Sequence, residues 1–201
     1  MITTVIFDMG NVLVHFRWKE LFHEMGFEGE KFERLADATV RNPIWNEIDR
    51  VPYTDEMMYE AFVKNAPDLE PEIKELMGDR FQGFLKKFDY TDGWLDALKS
   101  AGYRICILSN FSKKAFEESR ELDYVKKADI AVISYQVRMI KPDPAIYRYL
   151  LDTYGIDPKE AVFIDDNADN IAAAEKLGIT GILFTDKRSA DERLLELGVR
   201  Y

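Results

Sequence analysis

Thr3-Thr4-Val5-Ile6-Phe7-Asp8-Met9-Gly10-Asn11-Val12-Leu13 is the segment that decides the fold of this chain. Its β-favouring apolar run ends at Asp8, which is typical of a strand buried on both faces of a parallel sheet. Gly10 and Asn11 follow, and both residue types tolerate the backbone angles of a tight turn. Ligands bind at the carboxyl ends of the strands in open α/β sheets, so Asp8 is a candidate functional carboxylate. Taken alone, the segment equally allows an aspartate that only caps the next turn.

Length and composition exclude several classes of protein. The 201 residues suffice for one domain with a modest insertion, and 47% of them are hydrophobic, enough for a sizeable core. A net charge of −10 argues against a nucleic-acid-binding protein, which needs a basic face. We expect neither a membrane span nor a signal peptide, and the single cysteine, Cys106, fits a reducing cytoplasm. No feature of the sequence indicates an oligomeric state.

A long block after the first strand predicts helices only. Pro71 would occupy the first turn of the last of these helices, which we predict to continue to Lys87. The block is therefore interpreted as a helical-bundle cap domain, inserted into a core that is formed by two separate parts of the chain. The predicted cap covers residues 16–88, and the predicted core covers residues 1–15 and 89–201.

Strands and helices alternate through the rest of the chain. Apolar strand-like runs occupy residues 104–108, 129–133, 161–164 and 181–184, and helical segments separate them. This alternation predicts the α/β class, with a doubly wound parallel sheet of the Rossmann type as the core.

Polar and charged residues follow four of the predicted strands. Because parallel strands place their carboxyl ends at one edge of a sheet, these residues should converge, and four independent strand ends make coincidence a poor explanation. They are Asp8, then Ser109 and Asn110, then Lys141 after a loop, and finally Asp165 and Asp166.

The charges of this set predict a metal ion. Two carboxylates about 4 Å apart repel by roughly 1 to 4 kcal/mol, and such repulsion raises their pKa values unless cations compensate. Lys141 supplies one positive charge, and a divalent cation would supply the rest. An all-oxygen ligand set favours Mg²⁺, which would also attract an anionic substrate to an otherwise acidic protein.

These motifs, in this order, resemble those of the haloacid dehalogenase superfamily. More narrowly, the first and last motifs resemble the bacterial sugar-phosphatase branch typified by alpha-D-glucose-1-phosphate phosphatase. The resemblance covers the core, about two thirds of the chain, whereas the helical insert matches the family's cap only in position and type. The motifs are Phe7 to Leu13, Leu108-Ser109-Asn110, Lys141-Pro142, and Ile164-Asp165-Asp166, which continues to Ile171.

The resemblance implies a Mg²⁺-dependent phosphatase that acts on a small phosphate ester, preferably a sugar phosphate such as a hexose 1-phosphate. Asp8 would be the nucleophile that forms an aspartyl-phosphate, and it would also bind Mg²⁺. The Gly10 carbonyl and Asp166 would also bind the metal, and Asp165 would hold a metal-bound water or a neighbouring group. Ser109 and the Asn110 backbone would bind phosphate oxygens. Lys141 would neutralise the nucleophile and the phosphate as charge shifts between them.

The sequence departs from this family at Gly10, where its phosphatases commonly carry an aspartate that acts as general acid and base. Such help is worth roughly 10² to 10⁴ in rate. An anomeric phosphate has a better leaving group and needs the acid less, which fits the sugar-phosphatase branch. His15 could replace the acid, although a histidine that packs at the hinge is the simpler interpretation.

Two alternatives to a phosphatase stay open at this point. A metal-independent haloacid dehalogenase would use Asp8 to attack carbon, although adjacent Asp165 and Asp166 would repel a carboxylate substrate. A degenerate, non-catalytic protein that binds a phosphate ester would explain Gly10. A mutase is less favoured, because it too needs an acid and base. Within the insert, Trp45, Arg50 and Tyr53 could contact substrate, although core aromatic residues and a solvated arginine are the simpler interpretation.

Overall fold

The strands in the described part of the chain form one parallel sheet and one short antiparallel pair. A computed structural model describes residues 1–47 and 54–201. In the five-stranded parallel sheet the strand order is β5-β4-β1-β6-β7, while β2 pairs with β3. The strands are β1 (Thr4–Phe7), β2 (Val14–Phe16), β3 (Leu85–Lys87), β4 (Arg104–Ser109), β5 (Ile130–Ile133), β6 (Ala161–Asp165) and β7 (Thr180–Leu183).

The helices account for most of the remaining described residues. None of them is both long enough and apolar enough to cross a lipid bilayer. They are α1 (Trp18–Glu24), α2 (Gly29–Ala38), α3 (Pro43–Glu47), α4 (Asp55–Asn65), α5 (Glu70–Met77), α6 (Thr91–Ser100), α7 (Lys113–Glu118), α8 (Ser134–Val137), α9 (Pro144–Tyr154), α10 (Ala168–Glu175) and α11 (Lys187–Glu196), with 3₁₀ turns at Pro67–Leu69, Phe81–Phe84, Arg120–Lys127 and Pro158–Glu160.

Successive side chains along β1 point to opposite faces of the sheet, and helices pack against both faces. Phe7 belongs to the apolar cluster that includes α6 and α11, and its ring meets Trp94 of α6 edge-on at 4.9 Å. Ile6, the neighbouring residue, belongs to the opposite cluster with Ile146 of α9 and Ala174 of α10. The predicted doubly wound α/β fold is therefore confirmed.

The predicted helix from Pro71 to Lys87 is wrong in its second half. Helix α5 ends at Met77, and the chain then forms a 3₁₀ turn and strand β3, which pairs with β2. Since these two strands connect the helical insert to the parallel sheet, both predicted domain boundaries fall at this pair. We propose that the cap comprises residues 16–88, as the sequence indicates.

Two buried tyrosines allow a matched test of packing. The Tyr147 hydroxyl donates to the carbonyl of Asn170 at 3.0 Å, whereas the Tyr124 hydroxyl has no partner among the described residues. A buried polar group without a partner carries an uncompensated desolvation cost. We expect Tyr147→Phe to lower the free energy of unfolding by about 1 kcal/mol, and Tyr124→Phe to leave it unchanged or raise it. Urea titration of both variants measures this; a comparable loss in Tyr124→Phe would contradict it.

Candidate active site

Asp8 lies directly after the central strand, where the neighbouring strands end. Its backbone N–H donates to the carbonyl of Ile164 at 2.9 Å, which extends the β1–β6 ladder by one residue. Ser109 ends β4 on one side, and Asp165 ends β6 on the other. The predicted convergence of these strand ends is what the structure shows.

A buried lysine connects two of the carboxylates. The ammonium Nζ of Lys141 lies 2.7 Å from Oδ1 of Asp8 and 2.7 Å from Oδ2 of Asp165. Lys141 is 3% exposed, so these ion pairs are shielded from water. The Ser109 hydroxyl donates to the same Oδ1 of Asp8. Lys141 and Ser109 thus fix one oxygen of Asp8 and leave Oδ2 as the oxygen that neither of them engages.

Burial and charge act in opposite directions on these groups. Burial raises the pKa of Asp8 to about 6, and Asp165 contributes to the rise, while Lys141 and Ser109 oppose it. Burial also disfavours the ammonium of Lys141, but the carboxylates of Asp8 and Asp165 outweigh it and hold the lysine pKa above its usual value. Lys141 is therefore a permanent positive charge beside the nucleophile candidate.

Asp165 is fully occupied by contacts within the protein. Its Oδ1 accepts the backbone N–H of Asn167 at 2.8 Å, and the Asn170 amide donates to both carboxylate oxygens at 3.0 Å. With Lys141 on Oδ2, this buried carboxylate organises the loop before α10. Such saturation suits the supporting role that the resemblance implies for Asp165, rather than direct metal ligation.

Asp166, in contrast, is exposed and faces the cavity beside Asp8. Its Oδ2 accepts a hydrogen bond from the side-chain amide of Asn11 at 2.9 Å. Asn11 has a left-handed backbone (φ 55°), and its Oδ1 accepts the N–H of Phe16 at 3.2 Å. Asn11 therefore links the loop after β1 with Asp166 and with Phe16, the last residue of β2.

The three aspartates form a group that could hold a metal ion. One oxygen from each of Asp8, Asp165 and Asp166 lies within 4.8 Å of the others. Three carboxylates and the single Lys141 ammonium carry a formal charge of −2, which one divalent cation would neutralise. Hard oxygen donors are the ligands that Mg²⁺ prefers, so the group fits the Mg²⁺ ion that the sequence predicts.

A cavity of about 330 Å³ opens over these residues, between the parallel sheet and the helical insert. Four of the predicted site residues line it: Asp8, Gly10, Asn110 and Asp166. Ser109, Lys141 and Asp165 are buried and contact Asp8 or each other. The remaining described lining residues are Asn11, Phe16, Val40, Trp45, Met58, Phe81, Gln82, Phe84, Leu85, Phe111, Ser112, Ala115 and Ser119.

The Asn110 side chain holds the lysine loop. Its Nδ2 donates to the carbonyl of Lys141 at 3.0 Å, and its Oδ1 accepts the N–H of Lys141 at 2.9 Å. This reciprocal pair fixes the backbone from which Lys141 reaches the carboxylates. The side chain of Asn110 is thereby engaged, which agrees with a phosphate-binding role for its backbone alone.

The other candidates from the sequence lie apart from the carboxylates or outside the described residues. His15 stacks on Phe88 with ring centroids 5.9 Å apart, and its Nε2 is 3.9 Å from Glu20. It is not among the described residues that line the cavity, which agrees with the simpler, packing interpretation. Trp45 does line the cavity, whereas Arg50 and Tyr53 fall outside the described ranges.

Sequence reasoning gave no site role to Asn11 or Asn170. The sequence around Asn11 indicates a turn residue only, and its contact with Asp166 spans 155 positions, so no local pattern shows it. Asn170 lies five residues after Asp165, in the first turn of the helix that follows β6. That spacing is a usable signal, because the first turn of such a helix faces the end of the preceding strand.

The site combines Asp8 after β1, Lys141 paired with it, and the acidic pair Asp165 and Asp166 at the end of β6. On a doubly wound sheet, this combination is typical of a class of α/β hydrolytic enzymes. The sequence model of the haloacid dehalogenase-like hydrolase family matches residues 2–178 of this chain. The chain therefore belongs to the haloacid dehalogenase-like hydrolases, as the motif resemblance predicted, and the prediction of an enzyme is confirmed. The narrower sugar-phosphatase branch stays a prediction.

Individual relatives agree with this family. The (S)-2-haloacid dehalogenase 4A of Burkholderia cepacia is 32% identical over 165 residues, which cover 79% of this chain and 71% of that protein. The phosphorylated carbohydrates phosphatase of Thermotoga maritima is 32% identical over 103 residues, 51% of this chain and 48% of that protein. Several other curated relatives are much longer, and the chain spans only 18% to 37% of their length.

One solved structure illustrates the shared fold. It is a haloacid dehalogenase family enzyme from Bacteroides thetaiotaomicron, in complex with magnesium and inorganic phosphate, with a TM-score of 0.71 and 21% sequence identity. The match covers 93% of this chain and 96% of that one. At this identity the likeness concerns the arrangement of strands and helices.

Proposed function

We propose that the protein is a Mg²⁺-dependent phosphatase that hydrolyses a phosphate monoester through an aspartyl-phosphate on Asp8. The observation that carries the proposal is the position of Asp8: one oxygen is fixed by Lys141 and Ser109, beside Asp166, at the floor of a cavity. The phosphatase from Thermotoga maritima and the magnesium and phosphate complex of the Bacteroides enzyme support it.

Asp8 carries the covalent chemistry of the proposed reaction, and the proton transfers go to and from water. Asp8 attacks phosphorus, the ester P–O bond breaks, and the leaving alkoxide takes a proton from water, which becomes hydroxide. A second water then attacks the acyl phosphate, which releases inorganic phosphate and restores the Asp8 carboxylate. Lys141 stabilises the negative charge that shifts between Asp8 and the phosphate oxygens. Asp8, Asp166 and the Gly10 carbonyl would hold the Mg²⁺, which supplies further positive charge at the phosphoryl group when bound.

The proposed substrate is a small phosphate ester, and the hexose 1-phosphate predicted from the sequence is one candidate. For that candidate, the anomeric leaving group would compensate for Gly10, which stands where a general acid is expected. The uncharged polar side chains of the described lining, however, already have hydrogen-bond partners within the protein, which leaves few of them for sugar hydroxyls.

The test is phosphate release from a panel of sugar, alkyl and nucleotide monophosphates, each assayed with Mg²⁺, with EDTA and with Asp8→Asn. Activity that requires both Mg²⁺ and Asp8 supports the proposal. Tight binding of phosphate esters by a folded protein that shows no turnover would instead favour the non-catalytic alternative, and Gly10 would be the first residue to examine.

Dehalogenation is a second candidate, because the dehalogenase of Burkholderia cepacia is a relative over most of the chain. The site electrostatics oppose it. Asp166 faces the cavity, and no lysine, arginine or histidine occurs among the described lining residues to bind a substrate carboxylate. Chloride release from 2-chloropropionate without metal would support this candidate over the phosphatase.

Gly10 allows a gain-of-function test. A Cβ added at Gly10 would meet no atom within 4 Å, so the start of a side chain there is not blocked. We expect Gly10→Asp to raise kcat for alkyl phosphates by roughly 10² or more, because it adds a general acid and base near the leaving oxygen. Gly10→Asn is the matched control, of equal size but without a transferable proton. An equal rise in both variants, or none in either, would contradict the assigned cause.

A further inference from the structure

The part of the cavity wall that the described helical insert contributes is built mainly from apolar side chains. Phe16, Trp45 and Phe84 form one aromatic cluster, with centroid separations of 5.7 Å between Phe16 and Trp45, 5.7 Å between Phe16 and Phe84, and 5.2 Å between Trp45 and Phe84. Phe81 joins it at 5.5 Å from Phe84, and Met58 of α4 adds a thioether. These side chains all come from the predicted cap.

Besides the two aspartates, the polar side chains of the described lining are Asn11, Gln82, Asn110, Ser112 and Ser119. The Ser112 and Ser119 oxygens accept backbone N–H groups, and the Asn110 amide is bonded to the backbone of Lys141. In the described part of the insert, Gln82 is the one polar side chain that lines the cavity, and its Nε2 already donates to the carbonyl of Glu118 at 2.6 Å. The only charged residues in the described lining are Asp8 and Asp166. A sugar would therefore bury several hydroxyls against phenyl and indole rings without partners, and unpaired buried hydroxyls weaken binding strongly.

We propose that the substrate is a phosphate monoester of an apolar alcohol, whose hydrocarbon group lies against the aromatic cluster while the phosphate faces Asp8. This inference rests on the proposed phosphatase function and assigns its substrate class. The cavity volume lies at the lower end of the usual range for small-molecule sites, which suits a single short chain or ring beside a phosphate.

A series of n-alkyl phosphates isolates the effect of the hydrocarbon, because their leaving groups have nearly the same pKa. We expect kcat/KM to rise about fourfold for each added methylene and to level off once the cavity is filled. The matched pair is hexyl phosphate and 6-hydroxyhexyl phosphate, which differ by one terminal hydroxyl, and the hexyl ester should be preferred at least tenfold. A flat series, or a preference for the hydroxylated ester or a hexose phosphate, would overturn the inference.

Acetyl phosphate separates the two levels of the proposal. It carries a good leaving group and almost no hydrocarbon, so its Mg²⁺-dependent hydrolysis reports the phosphatase chemistry alone. Turnover of acetyl phosphate with no chain-length effect would leave the proposed function standing and refute the apolar substrate. No phosphate release from any ester, acetyl phosphate included, would overturn both.

Two methionines on one helix provide matched variants. Met58 is 2% exposed and lines the cavity, whereas its neighbour Met57 is 48% exposed. Met58→Gln should lower the ratio of kcat/KM for octyl phosphate to that for acetyl phosphate at least tenfold, and Met57→Gln should leave the ratio unchanged. Val40→Thr replaces one lining methyl by a hydroxyl at constant volume, so it provides the same test, with a smaller fall, should Met58→Gln not fold. Unchanged ratios in both wall variants would contradict the inference.

Discussion

Replacing Asp8 by Asn should lower kcat for phosphate release by about 10⁴-fold or more, because the amide cannot form the acyl phosphate. Asn preserves the size of the side chain and can still accept hydrogen bonds from Ser109 and Lys141 through its oxygen. The variant should therefore stay folded. Steady-state phosphate release at saturating Mg²⁺ measures the effect, and a loss of less than about 100-fold would contradict the role of Asp8 as nucleophile.

The stability of the same variant provides an independent readout. Burial raises the pKa of Asp8 to about 6, so at neutral pH the folded protein bears the cost of an ionised carboxylate beside Asp165. Removing this charge still leaves Asp165 to pair with Lys141. Without Mg²⁺, the urea midpoint of Asp8→Asn should equal or exceed that of the wild type.

Asp166→Asn is the matched control for the activity loss. Asp166 is exposed and contacts Asn11, but it is not the group that attacks phosphorus. Weakened metal binding should raise the Mg²⁺ concentration needed for half-maximal rate, and more Mg²⁺ should recover much of the activity. Asp8→Asn should not respond to Mg²⁺ in this way. Equal rescue of both variants would mean that Asp8 acts only as a metal ligand.

The part of the fold that was predictable is the part whose signals are local. Strands such as β1 and β6 are short apolar runs that end in polar residues, as in Phe7-Asp8 and Ile164-Asp165, so sequence alone locates both the strand and its reactive end. Pairing of Val14–Phe16 with Leu85–Lys87 joins segments about 70 residues apart. Strands of three residues are too short to show the alternation of apolar and polar residues that marks a strand. Because the neighbouring segments have helical patterns, the sequence did not indicate the pairing of β2 with β3.

The site was predictable as a set of residue types but not as a set of contacts. The order of the motifs predicts that Asp8, Lys141 and Asp165 meet at one edge of the sheet. It does not show that the lysine ammonium pairs with both carboxylates. Nor does it show that the Asn170 amide donates to both oxygens of Asp165. The composition of the cavity wall was hidden for another reason. An aromatic residue such as Phe84 has the same helical-face pattern whether it packs in a core or faces a substrate.

Lys141→Met should lower the free energy of unfolding by about 3 to 5 kcal/mol, since it leaves two buried carboxylates without their cation. Urea titration in the absence of Mg²⁺ measures the loss. Lys113→Met is the matched control: Lys113 is an exposed lysine 3.9 Å from Glu117, and such surface pairs contribute less than about 1 kcal/mol. Comparable losses in the two variants would contradict the structural role of the buried ion pairs.

The cause of the Lys141→Met loss can be separated from lost packing by two further measurements. If unpaired charge is responsible, Mg²⁺ should restore more stability to Lys141→Met than it adds to the wild type, because the cation replaces the missing positive charge. Combining Lys141→Met with Asp8→Asn should be less harmful than the sum of the single changes, as one of the two unpaired carboxylates is then neutral. Strict additivity, together with an unaltered response to Mg²⁺, would assign the loss to packing of the lysine stem instead.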